Sequence, residues 1–239
     1  MATSGVANYT QNRNEVITGA LRKLAVLPSG GTPTTAQISD ANAALNAMVK
    51  AFHADGMPLW KMLEHTFTTT SGTSSYTVGP SQTINIMQPL KIVQALYKVT
   101  GSNFVPMNIY THYDYNLLPN ENDSGTPVNF WYQPFRTTGT IHLWPTPNDS
   151  TTEIKFVYQA PFEDMSSATD DFDFPNYWIE ALIYGLAWRM APEYGIPPTD
   201  RNLLKEEAKM LKEEALSFGT EEGSIYLMPD WSGNFQARM

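Results

Sequence analysis

Residues 174–195, FPNYWIEALIYGLAWRMAPEYG, decide how the chain is to be read. Trp178, Ile179, Leu182, Ile183, Leu186, Ala187 and Met190 recur at three- and four-residue steps, the spacing of one helix face. Pro175 suits the first helical position, where a missing N–H costs nothing. Pro192 and Gly195 then break the run. The stretch is decisive because it restores a helical period after a long region with another one.

That preceding region starts near His65. FTTTSGTSSYTV (67–78), KIVQALYKV (91–99), NFWYQPF (129–135), TIHLWP (140–145) and EIKFVYQAP (153–161) are short and rich in β-branched and aromatic residues. Gly, Pro, Asn and Ser clusters separate them, as in a small antiparallel β-domain. IYTHYDYNLL (109–118) is the exception and fits one or two helical turns on the rim.

Before the β-region, Val16, Ile17, Ala20, Leu21, Leu24 and Ala25 mark a first helix, with Asn12 and Glu15 spaced as a capping box. Pro28, Gly30, Gly31 and Pro33 break the chain. Thr34 and Gln37 open a second helix, striped by Ile38, Ala41, Leu45, Met48, Val49 and Phe52. After Pro197 and Pro198, Thr199 is placed to cap another helix. Its Leu204, Ala208, Leu211, Ala215 and Phe218 make a seam for packing on a neighbouring helix.

Two short hairpins bury little separately, so they are expected to pack together. The expected fold class is α+β: a four-helix bundle built from N- and C-terminal helical hairpins, with an inserted antiparallel β-sandwich or barrel domain and an extended C-terminal tail. The corresponding boundaries are 1–62 and 163–218 for the hairpins, 63–162 for the insertion and 219–239 for the tail. At 239 residues, 42% of them hydrophobic and 12% aromatic, the chain can fill such a core. It has no cysteine, which rules out disulfides, thiolate metal sites and a cysteine nucleophile. MATSGVANYTQNRNEV lacks the basic and apolar regions of a signal peptide, and no apolar run is long enough to span a bilayer.

Charge is unevenly placed. Residues 1–160 hold nine acids and nine Lys or Arg; residues 161–239 hold fifteen acids and six Lys or Arg, so the whole net charge of −9 sits in the last third. A nucleic-acid binder needs the opposite sign, because cations on the protein replace counterions on phosphate. No basic patch is therefore expected. The acids read either as a solvated helix or as a surface that repels DNA.

Chemistry is harder to find. His53, His65, His112 and His142 lie far apart and show no metal-ligand spacing. P-loop, dinucleotide and nucleophile-elbow motifs are absent. A glycosidase would need two facing carboxylates. Glu206, Glu207, Glu213 and Glu214, beside Lys205, Lys209 and Lys212, read more simply as solvated helix pairs. Asp170, Asp171 and Asp173 read as acids favoured at a helix N-terminus. Trp131, Tyr132, Phe135 and Trp144 suit a stacking platform for sugars or bases, but strand cores have the same composition, and core or subunit contact is the preferred reading. No catalytic, cofactor or metal residue is assigned.

The tail, SIYLMPDWSGNFQARM (224–239), has no period of its own, yet carries Ile225, Tyr226, Leu227, Met228, Trp231 and Phe235. Fixing each residue costs about 1–2 kcal/mol of backbone entropy, so it orders only if most of those side chains find pockets. It reads as a clamp that orders on a partner; folding back on its own helices is the alternative.

TIHLWPTPND (140–149) followed by EIKFVYQAP resembles the strand–Pro-x-Pro–strand block of phage head–tail joining proteins. EVITGALRKLAVL (15–27), ISDANAALNAMVKAFHADGMPLW (38–60) and WIEALIYGLAWRMAPEYG (178–195) follow the same order. The chain thus resembles the head-to-tail adaptors, or tail tubular proteins, of short-tailed phages. The resemblance implies a structural virion protein, assembled in the host cytoplasm into a dodecameric ring that joins portal to tail nozzle. It implies that Ile225, Tyr226, Leu227, Met228, Trp231 and Phe235 dock on the portal. It also implies that genomic double-stranded DNA passes through without specific binding, past a wall to which Glu206, Glu207, Glu213, Glu214, Glu221 and Glu222 contribute. Neither a cofactor nor a membrane partner is implied. The alternatives are another tail component, a nozzle or decoration protein, or a virion-associated peptidoglycan hydrolase.

Overall fold

The computed structural model describes residues 9–52, 61–118, 120 and 123–218. Two helices come first, α1 (Arg13–Lys23) and α2 (Thr35–Phe52). The Asn12 side chain accepts from the Glu15 N–H at 3.0 Å while Glu15 accepts from the Asn12 N–H at 2.9 Å, so the capping box forms. Thr34 and Gln37 repeat the arrangement at the head of α2.

Strands β1 (Met62–Thr68), β2 (Ser75–Val78), β3 (Lys91–Lys98), β4 (Val105–Pro106) and β5 (Asn108–Ile109) follow. Then come a short helix α3 (His112–Asn116) and strands β6 (Ser124–Gly125), β7 (Asn129–Pro134), β8 (Gly139–Trp144), β9 (Thr146–Pro147) and β10 (Glu153–Gln159). A 3-10 turn over Asn176–Trp178 leads into α4 (Ile179–Met190), and α5 (Pro198–Phe218) completes the described chain.

Two four-stranded sheets, in the orders β1-β10-β3-β4 and β2-β8-β7-β5, share one core. Alternation makes that core: Ile154, Phe156 and Tyr158 of β10 and Ile141 and Leu143 of β8 all point inward. Val157 and Tyr158 straddle a bulge in the β10–β3 register. Two pairings are parallel, β5 with β7 and β6 with β9, so the insertion is not purely antiparallel as expected. Both parallel contacts are only two residues long and join segments distant in the chain, which hydrophobic alternation does not reveal.

The expected four-helix bundle is not formed. The described residues contain five α-helices and three sheets, an α+β fold in which α4 is the hub of the helical part. Ile179, Ala181, Leu182, Gly185, Leu186, Ala187 and Met190 of α4 are buried, and α1, α2 and α5 each pack against this helix. In α5 only Ala208 and Ala215 are buried, and a cavity of about 200 Å³ opens between α2, α4 and α5. Small side chains bring α5 close to α4 but leave it standing off α2, so the helices do not close.

Two helix starts also differ from expectation. Pro175 precedes the 3-10 turn rather than opening α4. Helix α5 starts at Pro198, one residue before Thr199, with Arg201 N–H donating to Pro197 carbonyl at 3.0 Å; proline at a first helical position forfeits no bond.

Polar contacts tie the helical part to the segment leaving β10. Lys50 donates to the Phe162 carbonyl at 2.8 Å and pairs with Asp164, Asn46 exchanges hydrogen bonds with Met165, and the nearly buried Lys61 pairs with Asp173. Phe162 and Phe174 stack at 4.5 Å over this junction.

Candidate partner-binding surface

The residues examined for chemistry are engaged structurally. Asp170 accepts from the Ser166 N–H at 2.9 Å and the Ser167 N–H, closing a turn. The Ser167 N–H foremost, then the Ser166 hydroxyl and N–H and the Arg13 charge, hold its carboxyl below the usual range. Asp171 bridges the backbone of Asn12, and Asp173 pairs with Lys61. Asp170 and Asp173 therefore fasten the approach to α4 through specific partners.

His53 lies outside the described residues. His65 sits on β1 beside Phe156, His112 on α3 and His142 on β8. Among the described residues no group of three His, Cys, Asp or Glu is placed to hold a metal. His142 stacks on Trp131 with centroids 4.5 Å apart, and burial lowers its pKa. Tyr115 covers the same indole at 4.9 Å, so α3 is fastened to β7 through rings.

Trp131 is thus packed, not presented. Tyr132 donates to the Pro89 carbonyl at 2.7 Å, its hydroxyl pushed up to about 12 by burial. Trp144 donates to the Asn120 carbonyl at 2.8 Å. Of the four aromatics, only Phe135 is exposed. No stacking platform results.

The expected docking residues Ile225, Tyr226, Leu227, Met228, Trp231 and Phe235, with Glu221 and Glu222, lie outside the described residues. The other four glutamates are on α5: Glu206, Glu213 and Glu214 exposed, Glu207 half-buried. Glu206 and Glu213, and likewise Glu207 and Glu214, are seven residues apart, two helical turns, so each pair shares a line along the helix.

The cations take a different line, which corrects the expectation that there is no basic patch. Arg201, Lys205, Lys209 and Lys212 step by four, four and three along α5. Lys205, Lys209 and Lys212, with Arg189 of α4, rim the cavity between α2, α4 and α5; Met48, Phe52, Ala181, Gly185 and Trp188 form its apolar lining. An adjoining shallow pocket adds Arg201 beside Trp188. Lys212 lies 4.7 Å above the Phe52 ring, and Lys205 lies 5.8 Å from Trp188.

Every described Lys or Arg of residues 161–239 therefore borders one groove. Summing charge by segment hides this, because acids and bases of α5 cancel in the sum whatever face they occupy; Lys209 and Glu213 also pair at 3.6 Å. The four-four-three spacing was the available signal. Such a groove, apolar in its floor and cationic at its rim, can accept an apolar segment bearing carboxylates.

The model of a family described as SU10 adaptor protein matches residues 11–220. No curated protein matches the chain.

Proposed function

Because the chain belongs to the SU10 adaptor protein family, phage head-to-tail adaptors that are structural parts of the virion, we propose that twelve copies form a ring joining portal to tail nozzle. The observation that carries this is the family match across residues 11–220, which takes in both helical segments and the whole β-region.

In this reading, residues 1–62 and 163–218 supply the ring frame around α4, and residues 63–162 form the β-insertion. Residues 219–239 reach the portal, where Ile225, Tyr226, Leu227, Met228, Trp231 and Phe235 anchor in apolar pockets. Twelve weak tail contacts act together once the ring exists, so none has to be tight.

Glu206, Glu207, Glu213 and Glu214, with Glu221 and Glu222, face the channel through which double-stranded DNA leaves. What supports this is the sign of the charge and, for Glu207 and Glu214, a line on α5 about half a turn from its cations; Glu213 pairs with Lys209 at 3.6 Å. A wall of carboxylates repels phosphate and lets the genome slide without adhering. No helix of the described residues is long and apolar enough to cross a membrane.

Removal of residues 224–239 tests the docking role. The truncated chain is expected to remain folded by circular dichroism and to leave portal rings bare in electron micrographs. Normal attachment of the truncated chain contradicts the assignment.

A further inference from the structure

Helix α5 packs on α4 through one face and leaves a flank open on either side of that contact. On one flank Arg201 and Lys205, with Arg189 of α4, border the groove over Trp188. Arg189 and Lys205 each lie 5.8 Å from the Trp188 ring. Neither they nor Arg201 meet a carboxylate among the described residues. Lys209 is held by Glu213 at 3.6 Å and plays no part.

On the other flank Leu203, Glu207, Met210 and Glu214 step by four, three and four. Leu203 is 66% exposed and Met210 46%, so the line is a ridge of large apolar side chains and acids. Asp200 adds a carboxylate near its start; Lys23 of α1 stands across from it, donating to the Tyr184 hydroxyl at 2.8 Å.

At about 100° per residue, the ridge and the cationic flank point roughly 170° apart around α5. Neighbours in a ring of twelve are turned by about 30°, so the two surfaces that meet must face about 150° apart. A head-to-tail contact also needs two different, complementary surfaces on one chain, and α5 carries both. Register fits as well, because rotation about an axis parallel to α5 keeps each residue at its own height. Asp200 then stands one residue from the height of the next copy's Arg201, and Glu207 two residues, about 3 Å of rise, from its Lys205. Leu203 falls between Arg201 and Lys205, over the pocket that Trp188 floors.

We propose that α5 runs along the ring axis and that its Leu203–Glu207–Met210–Glu214 ridge seats in the groove of the next copy. Asp200 and Glu207 meet Arg201 and Lys205 across the seam. The partner is a second copy because the groove takes a ridge both apolar and acidic, and the opposite flank of the same helix supplies one. Glu207 and Glu214 stand where the channel wall meets the next copy, so bordering the channel and bridging the seam are one position. The seam deepens the ring reading, on which it rests, by naming the surfaces that close the ring.

The chain has no cysteine, so thiol pairs can be placed at will. In full-length chain carrying Lys205→Cys and Glu207→Cys, the two thiols sit two residues apart on one helix and point to nearly opposite sides, which prevents a bond within the chain. Oxidised on portal rings, this chain is expected to give a ladder of covalent oligomers. The yield should exceed at least tenfold that of Lys205→Cys with Glu213→Cys, since Glu213 lies on the face between the flanks. Native mass spectrometry supplies a second readout. Glu207→Lys is expected to lower the twelve-copy complex at least tenfold, and adding Lys205→Glu to bring it back within about threefold of wild type. Twelve-copy rings with no ladder, a ladder no stronger than the control, or no recovery on charge exchange overturns the seam and leaves the ring standing. Failure of the wild-type chain to form any ring overturns both.

Discussion

Helices α4 and α5 lie against each other and answer to different demands. In α4 seven residues are buried, from Ile179 to Met190, and three other helices pack on it. In α5, nearly twice as long, only two alanines are buried; Leu203 is 66% exposed and Phe218 76%. The sequence of α4 is explained by the fold. The charges of α5 answer partly to the helix itself, since Lys209 and Glu213 pair at 3.6 Å as i,i+4 neighbours, and partly to the groove that its cations border.

The largest expected effect is on α4. Leu186 is completely buried, so Leu186→Ala should cost about 2–5 kcal/mol in urea denaturation, whereas Leu203→Ala on α5 should stay within about 0.5 kcal/mol. Comparable losses at the two sites would erase the distinction between a helix that builds the core and one that borders it.

A smaller effect sharpens the comparison at the α2–α4 contact. A Cβ built at Gly185 would lie 2.8 Å from the Met48 sulfur, and Met48 is itself buried. Gly185→Ala is expected to destabilise by about 1–3 kcal/mol through overpacking. An unchanged urea midpoint would show that α2 can shift away from α4, as α5 already stands away from α2.

The smallest effect concerns acid. Asp170 closes the turn before α4, and its depressed pKa means the folded state holds the carboxylate more strongly than the unfolded chain does. Its contribution is present above the ordinary value of 3.8 and is lost as pH falls through the lower folded pKa. Wild type should therefore exceed Asp170→Asn in stability at neutral pH, with the gap closing in strong acid. A gap that widens on acidification contradicts the assigned sign.

Much of this fold was legible locally. Capping at Asn12–Glu15 and Thr34–Gln37, the α4 stripe and the alternation of Ile154, Phe156 and Tyr158 are each set by residues close in the chain. What sequence reading mistook depends on distant partners. Whether helices close into a bundle depends on how far small residues let α5 approach α4, and two-residue parallel pairings leave no periodic trace. The core reading of Trp131, preferred over a stacking platform, agrees with the rings of His142 and Tyr115 that cover it. The groove was hidden for another reason, since a net charge discards direction.

Native mass spectrometry of purified portal rings mixed with excess full-length chain measures the adaptor role most directly. A single dominant species with twelve adaptor copies per portal ring is the expected result. A distribution of partial occupancies without a closed ring, or no complex at all, would contradict it.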